Sequence, residues 1–168
     1  EEFRDVVNAG AKWHDEPVVE CETDGWKLIT SRTPADIDAF VDAIREAGAP
    51  EALTSSGALA EAVTTLGLQR ISVITPYDQP LTDRLVDFLG ELEVGVVTQQ
   101  HLGLAGGIWR VNYRTVAALV EAADDPAAEA IFVSCTNLPT YDIIDPLERE
   151  LGKPVLTANQ LTVWACLA

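Results

Sequence analysis

ISVITPYDQPLTDRLVDFLGELEVGVVT, residues 71–98, is the stretch whose reading decides the fold. It opens on Ile71-Ser72-Val73-Ile74 and closes on Gly95-Val96-Val97-Thr98, both short, β-rich and apolar enough to be buried strands. Between them Leu85, Val86, Phe88, Leu89 and Leu92 recur at the spacing of one helical face, which predicts a helix over 81–92. A strand, a helix and a strand in so few residues make a βαβ unit, and such units build a parallel sheet with helices on its faces.

The same grammar continues in both directions. Toward the C-terminus, Val116, Leu119 and Val120 mark a helix over 115–123, and residues 130–135 read as a third strand. A helix over 141–151 ends at Gly152, a residue suited to the position after a helix C-terminus. Pro154-Val155-Leu156-Thr157 is a fourth strand, and 161–168 begins another helix. Toward the N-terminus, Trp26-Lys27-Leu28-Ile29 reads as a strand, followed by a helix with Thr33 as N-cap, Pro34 in its first turn and Gly48 at its end. Its inward face is Ile37, Phe40, Val41 and Ile44. Ser55-Ser56 caps a further helix with Leu59, Ala62 and Val63 inward, ended by Gly67, whereas residues 1–25 show no clear periodicity. The expected architecture is α/β: 1–67 as part of a first α/β lobe, 68–157 as a second lobe with a parallel sheet, and 158–168 as a helix returning toward the first.

Composition narrows the function. The 27 acidic against 11 basic residues give a formal charge of −16, the opposite of the basic footprint that nucleic acid requires. Apolar runs such as Ala130-Ile131-Phe132-Val133 are too short to cross a bilayer and the N-terminus has no basic-then-apolar leader, so no membrane partner and a cytoplasmic location are expected. Cys21, Cys135 and Cys166 lack a disulfide framework and are expected as reduced thiols. With only His14 and His101, and no CxxC or HxxxH pairing, no metal site is expected. Gly103, Gly106 and Gly107 lack the spacing of a dinucleotide-binding turn. A thiol phosphatase loop would want arginine six residues after Cys135, where Tyr141 stands. The chain contains no Met and reads like a processed or excerpted piece of something longer.

Four stretches, in this order, carry a resemblance: Thr54-Ser55-Ser56-Gly57-Ala58-Leu59, Ile71-Ser72-Val73-Ile74-Thr75-Pro76-Tyr77, Phe132-Val133-Ser134-Cys135-Thr136-Asn137-Leu138 and Pro154-Val155-Leu156-Thr157-Ala158-Asn159-Gln160. Together they resemble the aspartate/glutamate racemase superfamily, in the branch that holds maleate cis-trans isomerases, arylmalonate decarboxylases and ectoine-utilisation A proteins. The run Ser134-Cys135-Thr136-Asn137-Leu138-Pro139-Thr140-Tyr141-Asp142, with the segment from Trp109 to Tyr113, looks most like the ectoine-utilisation proteins. The resemblance covers about residues 50–168. It implies two pseudo-symmetric flavodoxin-like lobes, parallel sheets with helices on both faces, and an active site between the lobes with a cysteine at a strand end of each. It also implies cofactor-free chemistry and a homodimer. Family members carry another strand and helix before the first cysteine and continue past the last helix, so the first lobe is incomplete here.

Cys135 closes an apolar strand and precedes a loop and helix, where open parallel sheets place ligand groups. A cysteine at a strand end is commonly packing, but flanking Ser134, Thr136 and Asn137 offer a hydrogen-bonding loop that a structural thiol does not need. Backbone N–H groups of such a loop can hold a carboxylate without metal. Tyr77, at another strand end, reaches the same crevice as a carboxylate donor, or is a surface turn tyrosine. Ser55 and Ser56 are donors or helix caps; Asn159 and Gln160 line the rim or begin the last helix; Cys166 reads as core. The family's first cysteine has two competing placements. One is Cys21, in Cys21-Glu22-Thr23-Asp24-Gly25; the other is Ile29, with the thiol lost and Thr30 and Ser31 kept as carboxylate donors. The better strand over 26–29 favours the second.

The family's chemistry is proton transfer or addition beside a carboxylate, through an enediolate-like intermediate whose charge rests on oriented donors. The resulting expectation is a cofactor-independent isomerase, racemase or single-cysteine decarboxylase acting on a small carboxylate, in ectoine degradation. The alternative is a non-catalytic carboxylate-binding or regulatory protein descended from these enzymes.

Overall fold

The computed structural model describes residues 18–23, 26–31, 37–49 and 52–167. They fall into two units, Glu1–Thr54 and Ser55–Ala168. In the first, strand β1 (Val18–Thr23) pairs antiparallel with β2 (Trp26–Ser31), Val18 opposite Ser31 and Thr23 opposite Trp26. Helix α1 (Ile37–Glu46) follows, and Gly48 leaves it at φ 95°, a conformation that glycine adopts without a steric penalty. Strand β2 and the glycine stop agree with the sequence reading. Strand β1 does not, because no strand was read before residue 26. The expected caps Thr33 and Pro34 lie outside the described residues.

The second unit holds strands β3 (Arg70–Thr75), β4 (Gly95–His101), β5 (Ala130–Val133) and β6 (Val155–Thr157). They form a parallel sheet in the order β4-β3-β5-β6. Its helices are α2 (Ser55–Leu66), α3 (Gln79–Glu91), α4 (Tyr113–Ala122), α5 (Ile144–Leu151) and α6 (Ala158–Leu167). After β3 the chain moves outward to β4, then crosses back to β5 on the other side. Right-handed crossovers therefore put α3 on one face and α4 and α5 on the other.

Successive side chains of a strand point to opposite faces, so both faces of β3 and β5 must be covered. On one face Ile74, Ile131, Val133 and Val155 meet Val116, Val120 and Ala123 around α4, Leu147 of α5 and the loop residue Leu138. Leu59, Ala62 and Val63 of α2, Leu89 of α3 and Leu161 of α6 are also buried, and α2 packs along α6. Each buried Val, Leu or Ile side chain among them contributes roughly 1.5–3 kcal/mol. Strand β4 forms the edge and is only partly covered, in keeping with its polar Thr98, Gln99, Gln100 and His101.

Helix boundaries follow capping chemistry more closely than apolar spacing. Helix α3 starts two residues before its expected position because Asp78 Oδ1 accepts from Leu81 N at 3.2 Å, with Pro80 in the first turn. Asn112 Oδ1 accepts from Thr115 N at 3.0 Å and starts α4 at Tyr113. The expected helix over 141–151 is a 3-10 turn, Tyr141–Ile143, continued by α5, and it ends at Gly152 with φ 67° as anticipated. Among the described residues, no helix is long and apolar enough to cross a membrane and no cluster of three or more His, Cys, Asp and Glu side chains is suited to a metal.

The sheet's N-terminal end is tied by Glu129, whose Oε2 accepts from Gln69 N at 2.7 Å and Arg70 N at 3.0 Å. These backbone donors hold its carboxyl below the usual range. A depressed carboxyl adds stability that is complete above the ordinary glutamate range and lost as pH falls through the lower folded value. Glu129→Gln is therefore expected to flatten the dependence of unfolding free energy on pH in that acid window, measured by urea denaturation across it. Ser72 Oγ is fully buried and has no partner among the described residues. Removing an unsatisfied hydroxyl returns its desolvation cost, so Ser72→Ala is expected to raise unfolding free energy by about 0.5–1 kcal/mol. A loss of stability in the same denaturation experiment would show that the hydroxyl has a partner.

Candidate active site

Strand order places the site. Connections diverge at β3 and β5, which are neighbours in the sheet, and ligands of open α/β sheets bind beyond the carboxyl ends of strands at such a reversal. Tyr77 follows the end of β3 and Cys135 follows the end of β5.

The β3–β5 ladder runs from Ile71 opposite Ala130 to Ile74 opposite Val133, and Ser134 N extends it by donating to Ile74 O at 2.9 Å. Strand β5 was expected to reach residue 135, but it ends at Val133 because Cys135 turns left-handed, with φ 86°. An L-residue with a side chain rarely adopts this conformation, and holding it costs on the order of 1–3 kcal/mol. The surrounding structure supplies the restraint. Leu138 N donates to Cys135 O at 3.2 Å, and Leu138 itself is 1% exposed within the α4–α5 core. Asn159 Nδ2 donates to Thr136 O at 2.9 Å from the start of α6. Cys135 is half-buried and packs against the same core.

Tyr77 is fixed from the opposite side. The loop after β4 returns over the loop after β3 through Leu102 N to Thr75 O, Gly103 N to Tyr77 O and Leu104 N to Pro76 O, at 3.1, 2.9 and 2.9 Å. Gly103 makes that reversal at φ 66°. Beneath it, the buried Thr75 and Thr82 hydroxyls lie 2.6 Å apart, and Thr82 Oγ1 donates to Asp78 O at 2.9 Å, which leaves Thr75 as donor in the first bond. The Tyr77 phenol lies beside the side chains of Ser134 and Cys135. Burial pushes its ionisation up to about 12; Ser134 opposes this and Cys135 adds to it. Near neutral pH the phenol therefore keeps its proton and acts as a donor beside the thiol.

Tyr77 and Cys135 thus meet as expected, and Ser134 joins them. Sequence reading treats Ser134 only as a polar neighbour of the cysteine; a hydroxyl residue directly after the apolar run Ile131-Phe132-Val133 is the available signal. Thr136 and Asn137 are exposed directly after Cys135. Asn159 sits in the first turn of α6, and Gln160 caps that helix: Gln160 N donates to Thr157 Oγ1 at 3.2 Å and Thr157 N to Gln160 Oε1 at 3.3 Å. Ser55 and Ser56 occupy the first turn of α2, and Ser55 Oγ lies 3.2 Å from Thr162 Oγ1 of α6. Cys21, opposite Leu28, belongs to the first unit, as do Thr30 opposite Val19 and Ser31 opposite Val18; Ile29 lies opposite Glu20. Cys166, expected in the core, is exposed. The apolar residues of α6 do not fall on one helical face, so spacing does not identify its inner side; Ala158 and Leu161 are buried while Val163 and Leu167 are 59% and 82% exposed.

Two outcomes follow from this geometry. Cys135→Gly and Cys135→Ala both remove the thiol, but only glycine tolerates φ 86° freely, so the glycine variant is expected to be more stable by about 1 kcal/mol in urea denaturation. Equal stability, or a more stable alanine variant, would argue against the strained turn. In an ultraviolet phenolate titration, Tyr77→Phe is expected to remove the component near about 12. Because the folded value lies above the ordinary 10.0, the stability linked to this phenol is complete below that pH and lost as pH rises toward 12.

Known proteins resemble this chain in sequence and in fold. Residues 25–168 match the arylmalonate decarboxylase family. The arylmalonate decarboxylase of Bordetella bronchiseptica is 32% identical over 144 residues, covering 83% of this chain and 60% of the relative. The maleate isomerase of Geobacillus stearothermophilus is 29% identical over 123 residues, covering 71% of this chain and 49% of the relative. The chain thus spans roughly half to three-fifths of the length of these curated relatives. A crystal structure of arylmalonate decarboxylase superposes with TM-score 0.72 at 31% identity, over 81% of this chain and 61% of the other. A cysteine-to-serine variant of the Nocardia farcinica maleate cis-trans isomerase, carrying a covalently bound succinylcysteine intermediate, superposes with TM-score 0.72 at 25% identity, over 77% and 55%. By sequence and by fold, this chain belongs to the arylmalonate decarboxylase family.

Proposed function

We propose that this protein is a cofactor-independent enzyme in which Cys135 acts as acid/base or nucleophile on a small carboxylate. The observation that carries this reading is Cys135 in a strained left-handed turn at the sheet's point of reversal, with the Tyr77 phenol beside it. A protonated phenol supplies a neutral donor to a carboxylate oxygen, and exposed backbone after Cys135 supplies further donors. As negative charge builds on the carboxylate in an enediolate-like state, these donors stabilise it more than they stabilise the ground state.

The thiol supports two reaction courses. In isomerisation, the cysteine thiolate adds to one carbon of a cis-enoate, the electron pair of the double bond moves toward the carboxylate, and an acid protonates the adjacent carbon to give a saturated thioether. Rotation about the resulting single bond follows, then the proton is returned to that acid's conjugate base, the C–S bond breaks, the thiolate leaves and the trans double bond re-forms. The succinylcysteine adduct of the Nocardia farcinica relative supports this course. In decarboxylation, the bond to the departing carboxylate breaks, its electron pair remains as the enediolate, and the Cys135 S–H delivers a proton to the same carbon. A second thiol is needed as acid for isomerisation and not for decarboxylation, so Ile29 in the place of a first-lobe cysteine favours the single-thiol course. The similarity of residues 134–142 to ectoine-utilisation proteins supports ectoine-derived diamino acids as substrates, in a cytoplasmic homodimer.

The test is product formation and proton–deuteron exchange by NMR on maleate, an arylmalonate and ectoine-derived diamino acids. Exchange or conversion is expected with the intact protein and lost in Cys135→Ala, while the fold persists by circular dichroism; unchanged product formation would refute the assignment. Tyr77→Phe is expected to lower kcat by about 10²-fold or more, the cost of one oriented donor. Binding that survives Cys135→Ser, in a protein that converts none of these compounds, would identify a non-catalytic carboxylate-binding protein.

A further inference from the structure

We infer that Asn159 is a positioning residue: by donating its amide to the Thr136 carbonyl, it holds Cys135 in the left-handed turn that presents the thiol to Tyr77. The inference rests on the role proposed for Cys135. Three observations carry it.

The first is that the turn needs an external restraint. A cysteine at φ 86° relaxes to negative φ unless the peptides beside it are held, and this φ is not one that cysteine favours on its own. On one side, Ser134 N to Ile74 O at 2.9 Å anchors the residue before the thiol to the sheet. On the other side, the backbone bond from Leu138 N to Cys135 O closes the turn at 3.2 Å, the long end of the normal range. Thr136 is exposed, so without Asn159 its carbonyl has water as a ready alternative partner.

The second is that Asn159 is itself well placed to restrain. The reciprocal bonds between Thr157 and Gln160 cap α6 on either side of it, and Thr157 belongs to β6, which pairs with β5 through Val133 opposite Thr157. The amide therefore extends from a helix end tied to the strand that precedes Cys135. The third is chemical. The bond requires a donor, and asparagine supplies one where an aspartate of the same shape cannot. This differs from the role expected from sequence, in which Asn159 binds substrate at the rim.

The test combines stability and kinetics. The advantage of Cys135→Gly over Cys135→Ala measures the strain at residue 135, and it is to be remeasured by urea denaturation in Asn159→Ala and Asn159→Asp backgrounds, checked for native circular dichroism. If Asn159 enforces the turn, the advantage falls by roughly half or more in both, a coupling that independent sites do not show. In the Asn159 single variants, with Cys135 intact, kcat falls on the order of 10–100-fold with little change in KM, for whichever of maleate, arylmalonate or diamino acid the protein converts. An unchanged glycine advantage overturns the inference, and so does a rise in KM alone, which would make Asn159 a substrate ligand. If Cys135→Ala proves to leave product formation intact, the proposed function fails while the stability coupling still decides the role of Asn159.

Discussion

The pairing of β3 with β5 is the constraint on which the rest of the second unit depends. Four consecutive residues of each strand face one another, from Ile71 and Ala130 to Ile74 and Val133, and nearly every side chain on them is buried. Backbone polar groups buried this deeply must pair with each other, since water cannot reach them. Register is likewise set, because a slip of one residue would exchange the sets of side chains facing the two helical layers. With that register in place, the chain segments beyond Thr75 and Val133 emerge side by side, and Tyr77 comes within hydrogen-bond reach of Ser134 and Cys135.

Strain at Cys135 is sustained by packing behind the turn as well as by the bond from Asn159. Leu138, three residues on, is buried among Val116, Val120 and Leu147, so displacing the loop would empty a filled place in the core. A large apolar side chain lost from such a place typically costs about 2–5 kcal/mol, more than the strain of one unfavourable φ. The cysteine is therefore held in a conformation it would not choose, at the position where its thiol meets a protonated phenol. Backbone strain of this kind is a familiar property of functional sites.

On the proposed function, a chain of charge −16 has to recognise carboxylates locally. Salt screens the surface charge over about 8–10 Å, so donors touching the ligand govern recognition more than the distant field does. The donors here are uncharged: a phenol kept protonated by burial and backbone groups of a loop after a strand. The basic side chains Arg70 and Lys153 are engaged elsewhere, with Glu129 at 3.5 Å and Asp124 at 2.7 Å. Neutral donors suit a reaction in which negative charge grows on a carboxylate and is later withdrawn, because they need not compete with a permanent ion pair.

By itself, the sequence determined that the second unit is a parallel α/β lobe and that Cys135 follows one of its buried strands. Strands buried on both faces must be written as apolar runs such as Ile131-Phe132-Val133, helices beside them must carry apolar stripes, and a polar Thr136-Asn137 after a buried strand is hard to explain as packing. Helix starts were legible in principle at Asp78 and Asn112, whose capping chemistry is local, but apolar spacing alone begins later. The tertiary structure decided what depends on partners remote in sequence. Strand β1 has meaning only through its pairing with β2, and packing decides which side of α6 is covered, leaving Cys166 exposed. Strand order brought Tyr77 to Cys135, and Asn159 reached Thr136 across 23 residues. The left-handed turn at Cys135 has no local cause at all, since cysteine does not favour it; a residue adopts such a backbone only when the packed structure around it leaves no cheaper arrangement.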